Sequence, residues 1–137
     1  MRESNLPLAI TAVDINTGQT VFFVSNKWRL KDDNQVIYID NIPMYKAVRA
    51  SIAIPVVFKP TIIHGMRLVD GGVTVSVPTQ ILRQMGAEKV IGINLGYSGQ
   101  RRSEVNNILE IGSQTIDIMS YRLKKSSTDK ADIIINP

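Results

Sequence analysis

From Met66 onward the chain alternates two hydrophobic periods, and this alternation limits the folds open to it. Met66–Val69 is a short apolar run. After Pro78, Ile81, Leu82 and Met85 fall at helical spacing, and Gly86 is a natural helix stop. Val90–Leu95 is again short and almost wholly apolar, the pattern of a strand covered on both faces. Ser103 can cap a long helix with Glu104 in its first turn, and Lys124 and Lys125 sit at its negative end. Val105, Ile108, Leu109, Gly112, Ile116, Met119 and Leu123 form the stripe that this helix is expected to bury. Ala131–Ile135 reads as a last strand. The order β, α, β, α, β predicts a parallel sheet with right-handed crossovers.

The first half reads differently. Leu8–Asp14 and Thr20–Val24 are strands joined by Asn16-Thr17-Gly18, residues that accept turn geometry, and so predict a hairpin. Residues 27–35 are a polar loop, and Val36–Ile39 is a short strand. Met44–Ser51 is a short helix that must end before Pro55. Val56, Val57 and Phe58, between Pro55 and Pro60, read as extended and irregular. Thr61–Ile63 and Met66–Val69 flank His64-Gly65, a second hairpin. The fold class is therefore α/β: a three-layer sheet with hairpins in the first half and parallel strands in the second. With 137 residues the chain holds one domain, 1–137, and is too short for two separate cores.

Composition removes several kinds of chemistry. There is no cysteine and one histidine, so thiolate catalysis, disulfides and Cys- or His-rich metal sites are out, and no metal or cofactor is expected. Asp32-Asp33-Asn34 lacks the spacing of a calcium loop and reads as a solvated loop. Aromatics are 6% with a lone Trp28, and the net charge of +4 is spread out, so no nucleic-acid partner is expected. The basic excess leaves a weak attraction to anionic lipid or phosphate, and hence a peripheral membrane contact, in view. MRESNLP has no signal-peptide core and no membrane-spanning run follows. A cytoplasmic or peripheral-membrane protein is expected, with an export signal on a longer parent left open.

The residues that invite chemistry are Asp70, Gly71 and Gly72. Reacting groups in open α/β sheets gather beyond the carboxyl ends of strands, where Asp70 closes its run. Two glycines let a substrate or backbone come close. A carboxylate there can take a proton from a hydroxyl nucleophile. Asp-Gly is also a plain turn dipeptide, and local sequence leaves both readings open.

The longer context weighs between them. Ala50-Ser51-Ile52-Ala53-Ile54-Pro55-Val56-Val57-Phe58-Lys59-Pro60, then Leu68-Val69-Asp70-Gly71-Gly72, Pro78, Met85-Gly86-Ala87 and Val90-Ile91-Gly92-Ile93 follow in order. From about Pro7 to its end the chain resembles the second half of a patatin-like phospholipase domain, and more narrowly the bacterial patatin-like esterases. The resemblance implies a serine–aspartate dyad hydrolysing lipid or other carboxylic esters, with Asp70 as general base. It also implies that Gly71 and Gly72 shape the turn while Ser51 and Pro55 shape or brace the pocket.

Two departures stand out. The family's Gly-x-Ser-x-Gly serine and glycine-rich oxyanion loop do not occur, and Ser76 stands where the family usually has asparagine. Gly96-Tyr97-Ser98-Gly99 imitates the serine motif poorly. The chain is thus expected to be a partial domain, the base-bearing half of an acyl hydrolase and inactive alone. Its uncovered apolar strands predict a homo-oligomer or association with an N-terminal half that carries the serine. The competing reading is a non-catalytic domain that holds a phosphate or other anion on Gly96–Gly99 with Arg101 and Arg102. For Ile52–Phe58, contact with an acyl chain and core packing both stay open.

Overall fold

A computed structural model describes residues 4–27, 30–31, 33–95, 107–127 and 131–137, with backbone alone from 123 to 127. Its elements are β1 (Ala9–Asp14), β2 (Thr20–Val24), β3 (Val36–Ile39), α1 (Met44–Ser51), β4 (Thr61–Ile63), β5 (Met66–Asp70), a single 3-10 turn (Gly71–Val73), α2 (Thr79–Gln84), β6 (Ile91–Ile93), α3 (Ile108–Ser127) and β7 (Ile133–Ile135). The first five strands form one sheet in the order β3-β2-β1-β5-β4.

Both predicted hairpins form, each for a local reason. At the first, the Asp14 carboxylate accepts from the Asn16 amide at 3.2 Å, the Thr17 hydroxyl at 3.0 Å and the Arg67 amide at 3.2 Å. That aspartate is buried and fully engaged in holding the turn. Gly18 supplies the positive φ of 76° that closes it. At the second, His64 and Gly65 have φ of 51° and 80°, the paired left-handed geometry whose twist matches the flanking strands.

Strand β2 is buried along its whole length because helices cover both faces of the sheet. Val21 and Phe23 point to a cluster with Ala47 and Ala50 of α1. Phe22 and Val24 point to the other face and pack with Ile81 of α2. Successive strand side chains alternate faces, so one run of TVFFV serves two layers. The three-layer α/β arrangement predicted from sequence is the one observed.

The pairing within it is not the simple parallel sheet that the alternation suggests. β1 runs antiparallel to both β2 and β5, and in this sheet β2–β3 is the parallel pair. β6 and β7 are parallel, but they form a second, two-stranded sheet. The order of elements leaves partner choice open, and β1 and β4 already occupy the two edges of β5.

Three further expectations are corrected. Val90–Leu95 is not covered on both faces: Val90 and Gly92 are buried, whereas Ile91 and Ile93 are 58% and 59% exposed and Leu95 is more so. One face alone meets a layer, and there a Cβ on Gly92 would come within 2.6 Å of Ile134 Cδ1 and 3.2 Å of Val77 Cγ1. The stripe of α3 is not buried either. Ile108, Leu109 and Met119 are exposed, and the half-buried positions are Gly112, Ser113, Gln114, Ile116, Asp117 and Ser120, of which Gly112 and Ile116 belong to the expected stripe. The half-buried side meets the Gly71–Val73 turn through the Ser120 hydroxyl, which donates to Gly72 O. Val56–Phe58 is a tight turn, not an extended piece. Ile54 O accepts from Val57 N at 3.2 Å and from Phe58 N at 2.9 Å, and Val56 has φ of 72°. Ser103, Glu104 and Val105 lie outside the described residues, as do the side chains of Leu123, Lys124 and Lys125.

Asp132 fastens the small sheet to α2. Its carboxylate accepts from Val90 N at 2.7 Å and from the Arg83 guanidinium at 2.5 Å, with Lys89 Nζ at 3.7 Å. The Val90 amide chiefly, opposed next by burial and then aided by Arg83 and Lys89, holds the carboxyl below the usual range.

Candidate active site

The strand directions fix where Asp70 lies. β2 and β3 run together, β1 runs against β2, and β5 runs against β1. The carboxyl ends of β2, β3 and β5, at Val24, Ile39 and Asp70, therefore share one edge of the sheet. Buried Asp14, with its triple engagement, closes β1 at the opposite edge.

The end of β5 is held from two sides. Asp70 N donates to Ala53 O at 3.0 Å, which ties the strand to the segment following α1. The Asp70 side chain turns back on its own loop, where Oδ1 accepts from Gly72 N at 2.7 Å. Among the described residues Oδ2 has no hydrogen-bond partner, and the residue is half-buried. The turn reading accounts for Oδ1 alone. Gly72 N fixes the carboxylate's orientation through Oδ1, and Oδ2 remains for another donor.

Each glycine has its own steric cause. Gly71 is buried against β1, where a Cβ would lie 2.6 Å from Thr11 Cβ and 2.8 Å from the Thr11 carbonyl carbon, and closer still to the Thr11 hydroxyl. A Cβ on Gly72 would meet Asp70 Oδ1 at 3.0 Å. The first glycine lets the turn close on the sheet; the second leaves room for the carboxylate. Thr74 N and Val75 N both donate to Gly71 O, at 3.2 and 3.0 Å, and complete the turn.

Ser51 ends α1 and Pro55 follows it, two residues to either side of the Ala53 that holds β5; both are half-buried. The structure gives Ser51 Oγ no hydrogen-bond partner on the carboxylate. Sequence reasoning missed Ser120. It lies in α3, nearly fifty residues away, and its Oγ donates to Gly72 O at 3.3 Å. Gly112 of the same helix stands by Val56, with 3.5 Å between a notional Cβ and Val56 Cγ2. The i, i+4, i+8 spacing of Gly112, Ile116 and Ser120 was the available signal, concealed by the larger apolar residues beside it.

Gly96–Arg102, including Ser98, Arg101 and Arg102, lie outside the described residues, as do Trp28 and Asp32. An open depression of about 210 Å³ lies by β3, lined by Lys27, Leu30, Asp33, Asn34, Val36 and Tyr38. Among the described residues no three of His, Cys, Asp and Glu converge as a metal site would need, and no helix is long and apolar enough to cross a membrane. The family model described as Patatin-like phospholipase matches residues 2–83. That span holds the whole five-stranded sheet, α1, Asp70, Gly71 and Gly72, while β6, α3 and β7 follow it.

Proposed function

The chain belongs to the patatin-like phospholipase family, and we propose that within this lipid acyl hydrolase family it is the half that bears the general base, with Asp70 as that base. The observation that carries this reading is the divided carboxylate at the carboxyl edge of the sheet: Oδ1 fixed by Gly72 N, Oδ2 unengaged among the described residues. A carboxylate oriented in this way can accept the proton of a serine hydroxyl as its oxygen bonds to an ester carbonyl carbon. The proton passes to the leaving alcohol, and water then repeats the step on the acyl-enzyme to release the acid. Gly71 and Gly72 shape the turn that aims the carboxylate. Ser51 and Pro55 shape the wall beside it. The substrate class is a lipid or other carboxylic ester.

None of the 137 residues builds Gly-x-Ser-x-Gly, so the hydroxyl comes from outside them. The 137-residue chain alone is expected to leave a p-nitrophenyl ester intact. In the polypeptide or complex that brings a Gly-x-Ser-x-Gly serine to it, Asp70→Asn is expected to lower kcat/KM by about 10²–10⁴-fold without unfolding the domain. Turnover of the isolated chain would place the nucleophile within these residues, and near-native turnover of the Asp70→Asn assembly would remove the base assignment.

A further inference from the structure

We propose that the outer face of α1 and the turn after it form a docking surface for an anionic lipid bilayer. Helix α1 is amphipathic the wrong way round for a buried helix. It turns Ala47 and Ala50 inward, both fully buried, while Tyr45, Val48 and Ile52 are 70%, 41% and 53% exposed. At 100° per residue those three lie opposite the two alanines. The apolar surface continues into the next segment, where Ile54, Val56, Val57 and Phe58 are all exposed. The Arg49 guanidinium lies over the Phe58 ring, 5.7 Å from its centroid, and joins helix and turn into one patch. Exposed contiguous apolar area of this kind marks a contact surface.

Charge selects the occupant. From Asn41 to Val69 there is no Asp or Glu, while Lys46, Arg49 and Lys59 lie on or next to the patch, all exposed. The carboxylates that bound this segment in sequence are Asp40, paired with Lys27 at 3.5 Å, and Asp70 at the end of β5, which is half-buried. An apolar face with an aromatic and three exposed cations, built from a segment that holds no Asp or Glu, fits acyl chains beneath a layer of anionic headgroups. A protein partner of ordinary surface would not require that acid-free composition. Because Ala53, within this segment, holds the end of β5, a bilayer on this face lies beside Asp70.

The test reads binding and needs no turnover, so it stands or falls separately from the hydrolase reading. The 137-residue protein is sedimented with vesicles of phosphatidylcholine mixed with phosphatidylglycerol, and with vesicles of phosphatidylcholine alone. The mixed vesicles are expected to carry the protein down, added salt to release it, and the neutral vesicles to hold much less. Val57→Ser with Phe58→Ser is expected to lower partition about tenfold or more. Lys46→Gln with Lys59→Gln is expected to lower it about fivefold for each cation removed. All four side chains are exposed, so the fold should survive in both variants, with circular dichroism as the check. No partition into mixed vesicles, equal partition into neutral ones, or unchanged partition in both variants would overturn the proposal. So would a dimer dissolved by Val57→Ser with Phe58→Ser, which would assign the face to a second copy of the chain.

Discussion

At the scale of single residues, Gly71 and Gly72 do different work although the sequence presents them as a pair. Ala at position 71 drives a Cβ into the Thr11 side chain and backbone of β1. Gly71→Ala is expected to destabilise the fold by about 2–3 kcal/mol, read as a lower denaturation midpoint. Ala at position 72 meets the movable Asp70 Oδ1 at 3.0 Å instead. Gly72→Ala is expected to leave the midpoint nearly unchanged and to lower ester turnover in the serine-bearing assembly roughly tenfold, by displacing the carboxylate. Equal losses of stability in the two variants would remove the distinction. Asp-Gly-Gly marks this position in the sequence. The opposing Thr11 lies sixty residues earlier, and only the β1–β5 pairing brings it there.

At the scale of elements, Asp132 is the clip between α2, β6 and β7, and its acid behaviour follows from its partners. Folding lowers its carboxyl below the ordinary range, so the folded state favours the ionised form. This contribution is fully present above the ordinary carboxylate range and is lost as pH falls through the lowered folded value. Asp132→Asn is expected to lower the thermal midpoint at neutral pH and to flatten part of its acid decline. Superimposable acid limbs for mutant and wild type would refute the clip. The elements themselves were largely legible: β2 and α1 begin and end where their patterns place them, since turn residues and prolines bound them locally. The facing of α3 was not. Its apolar stripe predicts burial, yet Ile108, Leu109 and Met119 are exposed and the side that meets the Gly71–Val73 turn is a mixed one with Gly112, Ile116 and Ser120.

At the scale of the whole molecule, β6 and β7 leave Ile91, Ile93, Ile133 and Ile135 exposed on a two-stranded parallel sheet. Parallel strands are ordinarily covered on both faces, and so small a sheet is weak alone. Size-exclusion chromatography with light scattering is expected to give a mass above that of one chain at high protein concentration. Ile91→Lys with Ile133→Lys should reduce it, whereas Val57→Ser with Phe58→Ser should not. A clean monomer at every concentration would refute this. By itself, the sequence determined the α/β class, both hairpins, the helix over Met44–Ser51 and the carboxylate at the end of β5, because turn geometry, proline restriction and hydrophobic period act over a few residues. Only the tertiary structure decided that β5 pairs with β1 rather than β6, that α1 turns its alanines inward while α3 leaves much of its apolar stripe exposed, and that one Asp70 oxygen is spent on its own turn. These outcomes depend on which distant surfaces fit together, and no local pattern along the chain specifies that fit.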